Sequence, residues 1–226
     1  MQEKAHTWFE SSDTVTMFPT QVWRTQLAPE RHRFIAAVIL TLLDEQRRDQ
    51  RPLAPAEAWQ SGQALHELAA LQPLVGCINA AAEHVLEILR IGYDAFEITG
   101  CWANIYALGA SHGIHNHPNN FLSGVYYVMT QPGADTINFH DPRIQTGIIR
   151  PPVTELTAGN TDQVVLRVGN GTLLLFPSYL QHSVDPNRSD APRISVSFNI
   201  MFSGFTTAMS KPLWAPAPAA SRDPHR

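Results

Sequence analysis

Phe96-Glu97-Ile98-Thr99-Gly100-Cys101-Trp102-Ala103-Asn104-Ile105-Tyr106-Ala107-Leu108 marks the point where the spacing of apolar residues changes from helical to alternating. Downstream of it, Leu122–Thr130, Thr136–Asp141, Thr146–Val153, Val164–Val168, Thr172–Phe176, His182–Asp185 and Ile194–Phe202 read as further strands. Breaker clusters separate them, among them Gln131-Pro132-Gly133, Gly169-Asn170-Gly171 and Asp185-Pro186-Asn187. Many short strands joined by tight turns predict a mainly β, antiparallel jelly-roll sandwich.

Upstream of Phe96 the pattern is helical. Asp13 to Trp23, with Pro19 inside it, reads as an edge strand or extended arm. Pro29 is suited to a first helical turn, and Phe34, Ile35, Val38, Ile39, Leu42 and Leu43 recur at helical spacing, which predicts a helix over about 29–48. After a polar loop, Ser61 looks like the N-cap of a short helix bearing Leu65, Leu68 and Leu71. A further helix over about 73–91 carries Leu74, Val75, Ile78, Val85, Leu86 and Leu89, with Gly92 expected to end it. The expected organisation is one domain over 1–226. It comprises an arm and packing helices over 1–95, a β core over 96–204 and a flexible tail over 205–226.

Composition narrows the function. Of 226 residues, 16% are charged and 44% apolar, with a net charge of −4 and no basic block, which argues against a nucleic-acid-binding face. The longest apolar run, Ile35 to Leu43, is too short to span a bilayer. The first residues carry no apolar leader segment, so a cytoplasmic location is expected. Cys77 and Cys101 are too few for a disulfide framework or a cysteine-type zinc site.

The histidines are uneven. His112, His115, His117 and His140 fall close together, and His182 opens a late strand. On an extended segment residues i and i+2 face the same way, so His115 and His117 can both reach one metal ion. His182, after the buried run Leu173-Leu174-Leu175-Phe176-Pro177, is the natural third ligand, although a His-x-His pair can also arise by chance among ten histidines. Arg193 opens the last apolar strand. An arginine facing inward there needs an anion, either a bound carboxylate or an interior Asp141 or Asp185. A dicarboxylic acid that chelates a metal at one end and meets Arg193 at the other would satisfy both signals.

Four stretches together resemble the iron(II)- and 2-oxoglutarate-dependent oxygenases, in particular a branch of small members. They are Met17-Phe18-Pro19-Thr20-Gln21-Val22-Trp23; His115-Asn116-His117-Pro118 through Leu122-Ser123-Gly124-Val125-Tyr126-Tyr127-Val128; Phe139-His140-Asp141-Pro142-Arg143; and Leu175-Phe176-Pro177-Ser178 leading to His182-Ser183-Val184 and Arg193 to Asn199. The approach from Tyr106 through Gly109 to His115 is similar to that of prolyl-hydroxylase-like enzymes. The resemblance implies a double-stranded β-helix, Fe(II), O2, and oxidative decarboxylation of 2-oxoglutarate. His115 and His182 would then be iron ligands, and Arg193, with Ser195 beside it, would hold the far carboxylate of the cosubstrate. The superfamily's common motif is His-x-Asp/Glu, whereas His117 stands at the carboxylate position. The third ligand is therefore His117, Asp141 or water, with His117 favoured.

Asn104 and Tyr106 alternate on the strand before the motif and are expected to face the cosubstrate cavity, while Tyr127 is expected either to hydrogen-bond the cosubstrate carboxylate or to be a core tyrosine satisfied by backbone. His112 and His140 read as loop or rim residues, Arg143 as a surface turn residue, and Trp23, Trp59 and Trp102 as core. The expected activity is hydroxylation of an unactivated C–H bond in a small-molecule substrate, with release of succinate and CO2. A homodimer is left open. The alternative is a cupin-like metal-binding protein (another dioxygenase, an isomerase or a ligand sensor) without 2-oxoglutarate chemistry. Against it, positions 119–124 lack the glutamate expected shortly after the His-x-His pair.

Overall fold

The computed structural model describes residues 8–143, 149 and 151–205. Ten strands and two helices follow in the order β1 (Trp23–Gln26), α1 (Pro29–Arg47), β2 (Ala58–Gln60), α2 (Gln72–Ile88), β3 (Phe96–Tyr106), β4 (His112–His115), β5 (Leu122–Met129), β6 (Thr136–His140), β7 (Gln163–Arg167), β8 (Thr172–Pro177), β9 (His182–Val184) and β10 (Arg193–Phe202). One sheet has the order β1-β8-β5-β10-β3-β2 and the other β4-β9-β6-β7. Every strand pair is antiparallel. Strands β3 to β10 thus cross between the two sheets at every step except the β6–β7 hairpin, as a double-stranded β-helix, with β1 and β2 extending one sheet at its edges.

Strand parity builds two cores. Ile194, Val196, Phe198 and Ile200 of β10 face the helices with Cys101, Ala103 and Ile105 of β3. There they meet Ile35, Ile39 and Leu43 of α1 and Leu74, Ile78, Ala82 and Val85 of α2. Residues of the other parity, among them Val125, Tyr127, Leu174 and Phe176, pack between the two sheets with Ile137 and Phe139. Gly124 is required by the first of these layers. A Cβ there would meet the Phe198 ring and lie 2.6 Å from the Leu174 carbonyl oxygen, and that backbone atom cannot yield. Gly124→Ala should therefore destabilise the protein by about 1–3 kcal/mol through overpacking, read as a lower denaturation midpoint.

Several local expectations are corrected. The β structure expected in the arm begins only at Trp23. Phe34 is exposed rather than part of the α1 stripe. Ser61 caps no helix; its hydroxyl accepts the Ala103 N–H, and residues 65–71 form two 3-10 turns. Helix α2 ends at Ile88, before Gly92, because Arg90 takes a left-handed φ of 54°. Its N–H donates to the Glu87 carbonyl and that of Ile91 to Leu86, a Schellman closure completed without glycine. Half of the strand expected over 146–153 lies outside the described residues, and Ile149 and Pro151–Val153 are not in strands. The tail expected over 205–226 lies outside them from 206 onward. No described helix is long and apolar enough to cross a membrane.

Candidate active site

The register of the smaller sheet brings His115 on β4 directly opposite His182 on β9. His117 lies just past β4, in a loop that its own N–H ties to the Ser178 carbonyl at 3.0 Å. The ligand nitrogens of His115, His117 and His182 all lie within 4.8 Å of one another, and Nε2 of His117 is 3.3 Å from Nε2 of His182. Two nitrogens occupying adjacent positions about 2.1 Å from one metal would be about 3 Å apart, so the spacing fits a shared ion.

The ring orientations are fixed by the same device twice. Nδ1 of His115 donates to the Gly113 carbonyl at 2.9 Å, and Nδ1 of His182 donates to Leu180 at 3.0 Å. In both rings this leaves the Nε2 lone pair for a metal. His182 is 5% exposed and packs edge-on against Phe176, while His117 lies against Trp102. Burial pushes His182 down to about 3 and His117 down to about 4, with the nearby His115 adding to both shifts. The His117 and His182 rings are therefore neutral at ordinary pH, the form that binds metal.

This electrostatic state has a sign that can be tested. His182 ionises at about 3 in the folded chain against an ordinary 6.5, so its contribution to stability is complete above pH 6.5 and is lost as pH falls toward 3. At pH 5 the cost from His182 alone is about 2 kcal/mol, at 1.36 kcal/mol per unit. The Tm of metal-free protein should fall between pH 7 and pH 5, and His182→Gln should flatten that fall.

Arg193 lies deeper in the barrel and is 3% exposed. Its Nη1 donates to the Thr136 carbonyl at 2.9 Å, Nη2 donates to the Tyr127 hydroxyl at 3.4 Å, and Nε has no partner. Neither interior carboxylate considered from sequence reaches it. Asp141 is held by Arg143 at 2.6 Å and stands outside the histidine cluster, while Asp185 accepts a hydrogen bond from Asn138. A buried guanidinium whose Nε is orphaned and which has no carboxylate partner among the described residues has the chemistry to receive an anion.

A cavity of about 100 Å³ joins the triad to Arg193, and no Asp or Glu lines it. Ser195 sits across the sheet from Asn104 on β3 and from Tyr127 on β5, and Arg193 pairs with Tyr106. All of these side chains line the cavity, which for Asn104, Tyr106, Arg193 and Ser195 is the facing that strand alternation predicts. Asn104 is engaged, accepting from Gln60 and donating to Ser197. Burial raises the Tyr127 phenol to about 12 and also raises that of Tyr106, so both are neutral hydroxyls.

Two residues read otherwise from sequence belong here. Trp102 lines the cavity rather than the outer core, and so does His112. The His112 ring stacks on His115 with centroids 4.1 Å apart, and its Nδ1 shares a 2.9 Å hydrogen bond with the Tyr106 hydroxyl. Simple alternation would put residues 112 and 115 on opposite faces, but a register irregularity between them brings both to the cavity, with His112 exposed at its rim.

Residues 100–199 match the family described as "Putative 2OG-Fe(II) oxygenase". The matched segment contains all three clustered histidines and Arg193. That segment, a little under half of the chain, is what this protein shares with the 2OG-Fe(II) oxygenases. No curated protein matches the sequence. Solved structures share this fold at low identity. The non-heme alpha-ketoglutarate-dependent epimerase SnoN of nogalamycin biosynthesis is 12% identical, with a TM-score of 0.58 over 88% of both chains. A Pseudomonas putida prolyl-4-hydroxylase is 16% identical, with a TM-score of 0.55 over 82% of this chain and 94% of its own. HygX from Streptomyces hygroscopicus, solved with nickel and 2-oxoglutarate, is 10% identical, with a TM-score of 0.56 over 82% and 84%. At these identities the likeness shows the double-stranded β-helix alone.

Proposed function

We propose that the protein is an iron(II)- and 2-oxoglutarate-dependent oxygenase that hydroxylates an unactivated C–H bond of a small organic substrate. The observation that carries this reading is one carboxylate-free cavity with three convergent imidazoles at one end and a partly orphaned guanidinium at the other. Three neutral nitrogen donors suit a divalent first-row metal. His115, His117 and His182 would hold it, and Arg193 with Ser195 would hold the far carboxylate of 2-oxoglutarate. Iron bound there would supply activation of O2 coupled to decarboxylation of 2-oxoglutarate to succinate and CO2.

The chain's own groups do the orienting. The Gly113 and Leu180 carbonyls fix two ligand rings. The Thr136 carbonyl and the Tyr127 hydroxyl hold the guanidinium fork in place, and Tyr127, with its ring centroid 5.2 Å from the fork, also shields it from water. Because His117 replaces a carboxylate, the metal keeps one more unit of positive charge, which favours a dianionic cosubstrate. Cys77 and Cys101 are both free, which suits a reducing compartment, and we place the protein in the cytoplasm. The test of the activity is iron- and oxygen-dependent formation of succinate from 2-oxoglutarate. Succinate is expected in the complete mixture, and its absence with every substrate screened would reject the proposal.

A further inference from the structure

A groove of about 480 Å³ opens on the other side of His117, within the ~300–1,000 Å³ usual for small-ligand sites. Its walls are the arm at Pro19, Gln21 and Trp23, the chain just past α2 at Leu89 and Ile91, the loop after His115, and the turn Pro177–Tyr179. His117 lines both this groove and the metal cavity, so one imidazole forms the partition between them. None of the groove's lining residues is Asp, Glu, Lys or Arg. Across Pro19 a second groove, of about 660 Å³, is lined by Arg24, Asp141, Arg143 and Asp162. The two differ sharply in charge, and only the uncharged one touches a residue of the triad.

We infer that the uncharged groove binds the primary substrate, and that this substrate is an uncharged molecule with an apolar or aromatic body and an amide or hydroxyl group. The inference rests on the oxygenase reading above. A charged ligand would leave water for a surface with no counter-ion, so its desolvation would go uncompensated. An apolar body finds Trp23, Pro118, Ile91 and Tyr179, the last 57% exposed. A polar group finds the amides of Gln21 and Asn116, neither of which has a hydrogen-bond partner among the described residues. Asn120, by contrast, is engaged by Thr99 and by the Pro118 carbonyl, so it shapes the loop instead. Gln21 and Asn116 are thereby assigned as specificity-determining residues.

The experiment uses protein loaded with Mn(II), a paramagnetic substitute for iron(II), together with 2-oxoglutarate. Three probes share one aryl body and differ in charge: neutral N-acetyltyrosinamide, anionic N-acetyltyrosine and cationic tyrosinamide. Paramagnetic broadening of their proton resonances reports binding near the metal, and water-proton relaxation reports Mn(II) occupancy independently. The neutral probe should bind about ten-fold more tightly than either charged one. Gln21→Trp, which fills the groove, should remove the broadening while Mn(II) stays bound, and Ala158→Trp in the charged groove should leave it unchanged. Equal broadening by all three probes, no broadening by any, or loss of broadening in Ala158→Trp alone would overturn the inference with the metal site intact. Failure of the wild type to hold Mn(II) would overturn the oxygenase reading itself, and the groove assignment with it.

Discussion

His182→Ala should abolish stoichiometric iron binding while the protein remains folded. His182 faces His115 across the β4–β9 ladder, its ring is held by the Leu180 carbonyl, and among the described residues only His115, His117 and His182 bring their ligand atoms together. Loss of groups that merely orient a ligand typically weakens a metal site about 10- to 100-fold, and loss of a ligand should exceed that. Anaerobic equilibrium dialysis with iron quantification gives the affinity, and far-UV circular dichroism confirms the fold. Iron bound to His182→Ala with wild-type affinity would exclude the triad. His117→Asp adds a sharper comparison. Retained activity would mark position 117 as a ligand, because the substitution restores the commoner carboxylate at that position.

Arg193→Lys should raise the apparent KM for 2-oxoglutarate by roughly 10- to 150-fold, from the loss of a charge-assisted contact of about 1.5–3 kcal/mol. An ammonium keeps the charge but cannot grip a carboxylate through two parallel hydrogen bonds. Lysine is preferred to alanine as the test because Arg193 also donates to Thr136 and Tyr127, and a truncation would orphan both acceptors. Iron affinity should be nearly unchanged, since Arg193 touches none of the three histidines among its hydrogen-bond partners. An unchanged KM would remove the residue from cosubstrate binding. An equal loss of iron binding would show that it supports the metal site instead.

The large features of this fold are legible in sequence because burial imposes a period. The alternation in Phe96–Tyr106 and Arg193–Phe202 separates a helix-facing row from a cavity-facing row, and that parity alone places Asn104, Tyr106, Arg193 and Ser195 together. Short elements carry too few residues for a period to register. Ala58–Gln60 and His112–His115 are strands held by their neighbours' ladders, and neither alternates convincingly in isolation. The break in register between His112 and His115 hides a cavity residue from any rule of alternation. His117 shows a subtler mismatch. Its grouping with His115 follows from reading both on one extended segment, but the strand ends at His115, and a backbone hydrogen bond to Ser178 turns His117 inward. The closure of α2 by Arg90 is equally invisible, since left-handed backbone at a non-glycine position is settled by the tertiary structure around it.

One cavity should bind iron(II) through His115, His117 and His182 and 2-oxoglutarate through Arg193. Anaerobic titration of the metal-free protein with iron(II), with and without 2-oxoglutarate, tests both halves in one cuvette. A weak visible charge-transfer band should appear only when both are present and should saturate at one iron per chain. Iron binding without any such band would contradict the claim and favour a metal-binding protein of another chemistry.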